Sequence, residues 1–252
     1  MSQGCSRLPA VGSILHIKKA EGMLESAMAG RLGDRSDFMN SAADGLVAYA
    51  NLYPKVPWTS GLGRLLPTSA LDEALWFIPL VEAYDLVYTA GVLTSAEKSL
   101  IENSLIRAAI PVFKIDNYAN DPRSYQLYKA SNHHAYHLTA VGLAGLALGD
   151  AALVDWAVNH QYGFRYFVGH SLRDDGLHWE RSMAYHRYAL NGLLRFTEAA
   201  YRCGLDLYGI RTTGMADLVV ENHYSTDVTE LGKGLKMAFE ALPQMQFPNG
   251  SY

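Results

Sequence analysis

The chain has 252 residues, of which 49% are hydrophobic, so it can bury one large core or two smaller ones. Its net charge of −4 argues against a nucleic-acid binder, which carries a basic face, yet it permits an anionic substrate in a locally positive cleft. Cys5 and Cys203 are the only cysteines and form no CxxC, which argues against a disulfide framework.

Residues 1–34 read as an N-terminal segment. They lack the basic, apolar, small-residue pattern of a signal peptide, and no apolar run in the chain reaches the roughly 18 residues of a membrane span. From Asp37 to Tyr53 the spacing predicts an amphipathic helix with Phe38, Ala42, Leu46 and Tyr49 on one face. Pro54, Pro57, Gly61 and Gly63 break it. Ser69 caps a helix over Leu71–Thr89 whose apolar face includes Leu75, Ile78 and Val81, with Pro79 expected to kink it and Gly91 at its end. Thr94 and Glu97 have capping-box spacing and start a helix to about Val112. Asp116–Lys129 reads as a polar loop. Ser131 or Asn132 caps a helix through Leu148, ended by Gly149, and Ala151 to about Phe167 is the next helix. A second polar loop, His170–His178, precedes a long helix over Arg181–Cys203 ended by Gly204. Weaker helices follow at about 212–220 and 229–242. Strand alternation is scarce. The expected fold is all-α, with helical hairpins over residues 35–252 closing into an (α/α) toroid and the long loops gathering around a cleft.

Two short segments concentrate amide, imidazole and phenol groups: Ser131-Asn132-His133-His134-Ala135-Tyr136-His137, and Asp175-Gly176-Leu177-His178-Trp179-Glu180-Arg181-Ser182-Met183-Ala184-Tyr185-His186-Arg187-Tyr188. Each lies at a junction of long loop and helix, so the two can meet. His133 and His137 share a helix face and can hold a metal, with His186 or Glu180 as third ligand. No Glu follows the first His as in HExxH, and no Cys or Asp cluster accompanies the pair, so no metal and no cofactor is expected. His134 or His137, taken singly, reads first as a hydrogen-bonded core histidine, and His178 and His186 read equally as structural or catalytic. Sixteen tyrosines can line a sugar groove or simply fill helix interfaces. Asp174, Asp175 and Glu180 leave open a glycoside hydrolase on the same toroid. A non-catalytic helical scaffold binding sugar or protein is a third reading. There is no GxSxG, Walker loop or Rossmann fingerprint.

Ser131-Asn132-His133-His134, followed by Gly142-Leu143-Ala144-Gly145-Leu146-Ala147-Leu148-Gly149-Asp150, resembles the Asn-His helix of the heparinase II/III-like and oligoalginate polysaccharide lyases. Asp175-Gly176 through Glu180-Arg181-Ser182 to Tyr185-His186 resembles the segment carrying their catalytic tyrosine. Leu242-Pro243 to Phe247-Pro248-Asn249-Gly250 resembles the stretch leading into their last helices. Against that pattern the chain stops at Tyr252, before the remaining hairpins and the β-sandwich, so an incomplete toroid is expected.

The resemblance implies a lyase that cleaves a uronic-acid polymer or oligomer by β-elimination, with alginate ahead of a glycosaminoglycan. Asn132 and His133 then neutralise the uronate carboxylate. Tyr185 removes the C5 proton and protonates the departing O4, and His133 or His134 is the base when the C5 proton lies on the opposite face. His134, Tyr136, Arg173, Glu180, His186 and Tyr188 are expected to bind substrate. Arg173, Arg181 and Arg187 are candidates for carboxylates or sulfates, because a guanidinium fork matches them. The expected partner is an anionic polysaccharide or oligosaccharide, with no nucleic acid and no membrane. The resemblance also suggests a secreted or periplasmic location.

Overall fold

The computed structural model describes residues 8–58, 62–114, 128–173, 175–212 and 232–244. Most of the predicted Asp116–Lys129 loop, Asp174, the helix predicted at about 212–220 and the Phe247–Gly250 stretch lie outside the described residues. The fold is all-α. Among the described residues the only strand-like pairings are two isolated antiparallel bridges, Leu172 with His178 and Thr212 with Lys233. The chain divides into two compact units, Met1–Asp116 with Leu143–Asp150, and Asn117–Gly142 with Ala151–Tyr252.

In the first unit, α1 (Leu8–Gly33) packs against α2 (Ser36–Leu52) and α3 (Ala70–Tyr88). The sequence gives no helical signal over α1, because its apolar residues are spread around the axis and glycines interrupt it at 12, 22 and 30. Tertiary packing supplies what periodicity lacks. Ala20, Met23 and Ala27 face inward while Ile14 and Leu15 remain exposed. Nδ1 of His16 lies 2.8 Å from the Tyr49 hydroxyl.

Helix α2 buries Ala42, Leu46 and Tyr49 as predicted, but Phe38 is exposed, with the Arg35 guanidinium 4.9 Å above its ring. The expectation that Phe38 joins the inner face is therefore corrected. Phe38 lies in the first turn of α2, where a cation covers the ring instead of a neighbouring helix.

Helix α3 starts where Ser69 accepts the Asp72 N–H and runs on through Pro79. It is buried on most sides rather than on one stripe, with Trp76, Phe77, Ile78 and Tyr84 all inaccessible. Tyr53 stacks on Trp76 at 5.5 Å, and Phe113 meets Phe77 at 5.0 Å. Thr94 and Glu97 form the predicted capping box of α4 (Ser95–Ile101). A π-helical segment, Glu102–Ile106, joins α4 to α5 (Arg107–Phe113). This widened turn has no local signature in the residue pattern. Glu102 there accepts the Tyr84 hydroxyl at 2.6 Å.

The second unit holds most of α6 (Asn132–Ala147), then α7 (Ala151–Asn159), α8 (Phe164–Ser171), α9 (Met183–Arg202) and α10 (Leu235–Gln244). The single helix predicted over 151–167 is broken between Asn159 and Phe164. A tight turn forms there, with Gly163 N–H donating to His160 C=O at 2.7 Å. A Cβ on Gly163 would lie 2.8 Å from the Val158 backbone, so the turn requires glycine. Helix α9 begins two residues later than predicted because Arg181 adopts a left-handed φ of 55°, which a helix does not accept. Ser182 is the cap. Helices α6 and α9 approach closely at two glycines. Phe196 occupies the space a side chain at Gly142 would need, and Tyr136 lies against Gly192.

Glu73 fixes the first unit's long connection. Its buried carboxylate accepts the Tyr53 hydroxyl at 2.8 Å, Leu66 N–H at 2.7 Å and Leu65 N–H at 3.0 Å. Burial pushes its pKa up, partly offset by those donors. Glu73→Ala leaves these donors without an acceptor, at about 1–3 kcal/mol for each that stays buried. Urea unfolding should show a loss of about 3 kcal/mol; a loss below about 1 kcal/mol would remove Glu73 from this role.

Candidate active site

The two polar segments meet at one backbone carbonyl. Ala130 C=O, just before α6, accepts Ser171 Oγ–H at 2.8 Å, Trp179 Nε1–H at 2.8 Å and His178 Nε2–H at 3.2 Å. Beside it, one oxygen of Glu180 accepts two donors from Asn132, the backbone N–H at 3.0 Å and the side-chain Nδ2–H at 2.6 Å. The first residue of α6 is thus capped by a carboxylate 48 positions away. Helix starts leave N–H groups without partners and favour negative charge, so the pairing satisfies both demands.

Two histidines hold the capping loop. His178 Nδ1 accepts the Glu180 N–H at 3.4 Å, which leaves Nε2 as the donor to Ala130. His178 N–H donates to His186 Nδ1 at 3.0 Å, and His186 Nε2–H donates to Ala238 C=O at 3.0 Å. Both rings are therefore in the Nε2–H tautomer. His178 Nδ1 also lies 3.4 Å from Glu180 Oε2, a distance that would suit an ion pair. Burial nevertheless lowers the His178 pKa to about 4 despite the nearby Glu180, so the ring is neutral near pH 7 and the contact is not ionic. His186, expected to bind substrate, is buried and spends both ring nitrogens on backbone. His178, which sequence reasoning left undecided, is the more central of the two. Its position before Trp179-Glu180 was the available signal.

The remaining expected residues fall into three groups. His134 is fully buried and donates Nε2–H to Tyr162 C=O at 2.7 Å, tying α6 to the 160–163 turn. Burial and then Lys129 drive its pKa well below the ordinary value. Tyr136 is buried on α6 with its ring 4.6 Å from that of Tyr188 on α9, and burial raises its pKa, so its phenol stays protonated. His133 and Tyr185 are the accessible ones. His133 is partly exposed, edge-on to Tyr128 at 6.1 Å. Tyr185 is 50% exposed on the first turn of α9, and among the described residues its hydroxyl takes no hydrogen bond. Arg173 pairs with Asp175 at 3.1 Å. Arg181 and Arg187 are exposed. His137 is buried, and among the described residues no group of three or more His, Cys, Asp or Glu is arranged to hold a metal ion. No described helix is long and apolar enough to cross a membrane.

The family model described as alginate lyase matches residues 71–225, more than half of the chain and inclusive of both polar segments. An alginate lyase of Stenotrophomonas maltophilia (strain K279a) is 26% identical over 197 residues, which cover 74% of this chain and 25% of that protein. An exo-oligoalginate lyase of Saccharophagus degradans is 27% identical over 172 residues, 64% of this chain and 22% of that protein. The matched region spans about a quarter of the length of these relatives.

The neutral His178 predicts an acid-sensitive second unit. Its folded pKa lies below the unfolded value of 6.5, so it stabilises the fold fully above about pH 6.5, and that contribution is lost as pH falls toward about 4. Thermal melts from pH 7.5 to 4.5 should show wild-type stability falling more steeply than that of His178→Gln. Parallel curves would mean that His178 does not titrate as described.

Proposed function

Because the chain belongs to the alginate lyase family, we propose that it takes part in cleaving a uronic-acid polymer or oligomer by β-elimination, alginate first and a glycosaminoglycan next. The observation that carries this reading is the Asn132–Glu180 pairing, which sets the start of α6 beside the loop leading to Tyr185. Kinship with the heparinase II/III-like lyases, and closure of the helical hairpins into an (α/α) toroid, belong to the same proposal.

In this reaction the C5–H bond breaks, C4=C5 forms and the C4–O4 bond breaks. The C5 proton is only weakly acidic while the neighbouring carboxylate bears full charge. In our reading the Asn132 amide donates to that carboxylate with its second Nδ2–H, and His133 adds another donor. Charge developing on the carboxylate in the transition state is then met by fixed dipoles. Tyr185 takes the C5 proton and returns one to O4. Its exposure at a helix start supports this role, since a proton carrier must reach the sugar. His133 is the base in our reading when the C5 proton lies on the other face. Tyr136, Tyr188, Arg173 and the buried His134 and His186 shape or line the binding site. The proposed partner is an anionic polysaccharide outside the cytoplasm.

Incubation with alginate, heparan sulfate, hyaluronan and polygalacturonate, followed by ultraviolet absorbance, tests the reading. A lyase creates a conjugated unsaturated uronate that absorbs, whereas a glycoside hydrolase yields reducing ends without that signal. Absorbing product is expected with alginate foremost; none with any polymer would sink the proposal. Asn132→Ala should lower kcat by about 10²–10³-fold, as for loss of one oxyanion donor. Tyr185→Phe should abolish most turnover while oligosaccharide binding survives. Tyr188→Phe should cost much less. A dead Tyr188→Phe beside an active Tyr185→Phe would move the proton-transfer role one turn along α9.

A further inference from the structure

We infer that Glu180 is a positioning residue: its carboxylate holds the Asn132 side-chain amide in the orientation that leaves the second Nδ2 hydrogen for the substrate carboxylate. This rests on the lyase reading above and deepens it. It also replaces the expectation that Glu180 binds sugar directly.

An asparagine amide can rotate by half a turn, exchanging oxygen and nitrogen, and only one of the two orientations presents a donor to a given point. An ionised carboxylate is acceptor-only, so it selects the orientation with Nδ2 toward it. The 2.6 Å distance from Asn132 Nδ2 to Glu180 Oε2 is that of a charge-assisted bond. The same oxygen takes the Asn132 backbone N–H at 3.0 Å, so the carboxylate is anchored to the helix start and not only to the group it orients. Nδ2 carries two hydrogens at a fixed angle; with one committed to Glu180, the direction of the other is set.

Water competes weakly here. Asn132 is 4% exposed and the Glu180 side chain 19%. Glu180 is itself held from both sides, by its N–H on His178 Nδ1 and by the left-handed Arg181 that follows. Backbone strain of that kind tends to collect where a neighbouring side chain must be aimed. Direct sugar binding fits Glu180 poorly, because an ionised carboxylate repels the uronate carboxylate that Asn132 is proposed to receive. Acting through Asn132, the same carboxylate fixes the direction of the remaining N–H and leaves that donor to face the substrate.

The test uses the whole 252-residue chain and four variants: Glu180→Ala, Glu180→Gln, Asn132→Ala and the double variant Glu180→Ala/Asn132→Ala. Glu180→Ala should lower kcat by about 10²-fold with KM changed less than about threefold. Glu180→Gln keeps an acceptor oxygen and should recover most of that loss. On the Asn132→Ala background, removing Glu180 should change kcat by no more than about twofold, since the group it orients is gone. Losses that multiply in the double variant, or a rise in KM at constant kcat, would overturn the inference in favour of direct binding. A second readout does not depend on turnover. In a ¹⁵N–¹H spectrum the Asn132 Nδ2 proton bonded to Glu180 should lie further downfield of its twin than in a free asparagine amide. Glu180→Ala should remove that excess and Glu180→Gln should keep part of it; signals that do not respond to Glu180→Ala would also overturn it. If the wild-type chain makes no unsaturated product, the lyase reading falls, and the Asn132 signals still decide whether Glu180 holds the amide.

Discussion

The carbonyl of Ala130 is the point on which the candidate site depends. A backbone oxygen has two lone pairs, yet this one collects a hydroxyl, an indole N–H and an imidazole N–H from the segment between Ser171 and Trp179. Ala130 is almost fully buried, and in a low-dielectric setting each bond resists exchange with water. The three donors come from one segment, so the chain entering α6 is tied to that segment at several points. Asn132 lies two residues on and is placed by the same contacts. A shift of the 171–180 segment would break several bonds together, which makes the arrangement cooperative rather than a set of independent contacts.

Burial then sorts the titratable groups into two roles. His178, His186 and His134 each lose the charged form to desolvation and spend ring nitrogens on backbone atoms. Tyr136 is held protonated by the same cause. These groups fix geometry and do not exchange protons near neutral pH. His133 and Tyr185 escape that burial: His133 is partly exposed in the first turn of α6 and Tyr185 is exposed in the first turn of α9. The groups offered for proton transfer, His133 and Tyr185, are thus the accessible ones, while Asn132, offered for carboxylate neutralisation, is held almost fully buried at the start of α6.

Much of this architecture was legible in the sequence, and the exceptions have physical causes. The Ser69 cap and the Thr94–Glu97 box were readable because capping is local: a side chain three residues away satisfies a known orphan N–H. The start of α6 was readable to within one residue by the same logic, with Ser131 or Asn132 as the cap and Asn132 the first helical residue. Helix α1 was not readable, since its stability comes from α2 and α3 rather than from its own pattern. The break at 160–163 was missed because Gly163 looks like any helical glycine until the Val158 backbone is placed against it. The convergence of two segments at the site could be expected from their chemistry. Its details could not, because the Asn132–Glu180 and Ala130–His178 bonds each span 48 residues and no local spacing encodes which oxygen a distant donor will find.

The contrast between Tyr185 and Tyr188 shows how packing divides work along one helix. Three residues apart, they share a face of α9, and only the family resemblance ranks Tyr185 ahead of Tyr188 in the sequence. The α6–α9 contact separates them. Gly142 and Gly192 let the two helices come close enough for the Tyr136 ring to lie against Gly192, and that placement brings Tyr136 within 4.6 Å of Tyr188. Thr139 adds a buried bond to Gly192 C=O at 2.9 Å, which fixes the register of the pair. Tyr188 is thereby committed to the helix interface, with its ring against a phenol that burial keeps neutral. Tyr185, one turn nearer the capping loop, lies beyond that contact and keeps half of its surface open. A residue that must meet a sugar, accept a proton and release it needs that freedom. The glycine contact that withdraws Tyr188 thus supports Tyr185 as the proton carrier in the proposed reaction.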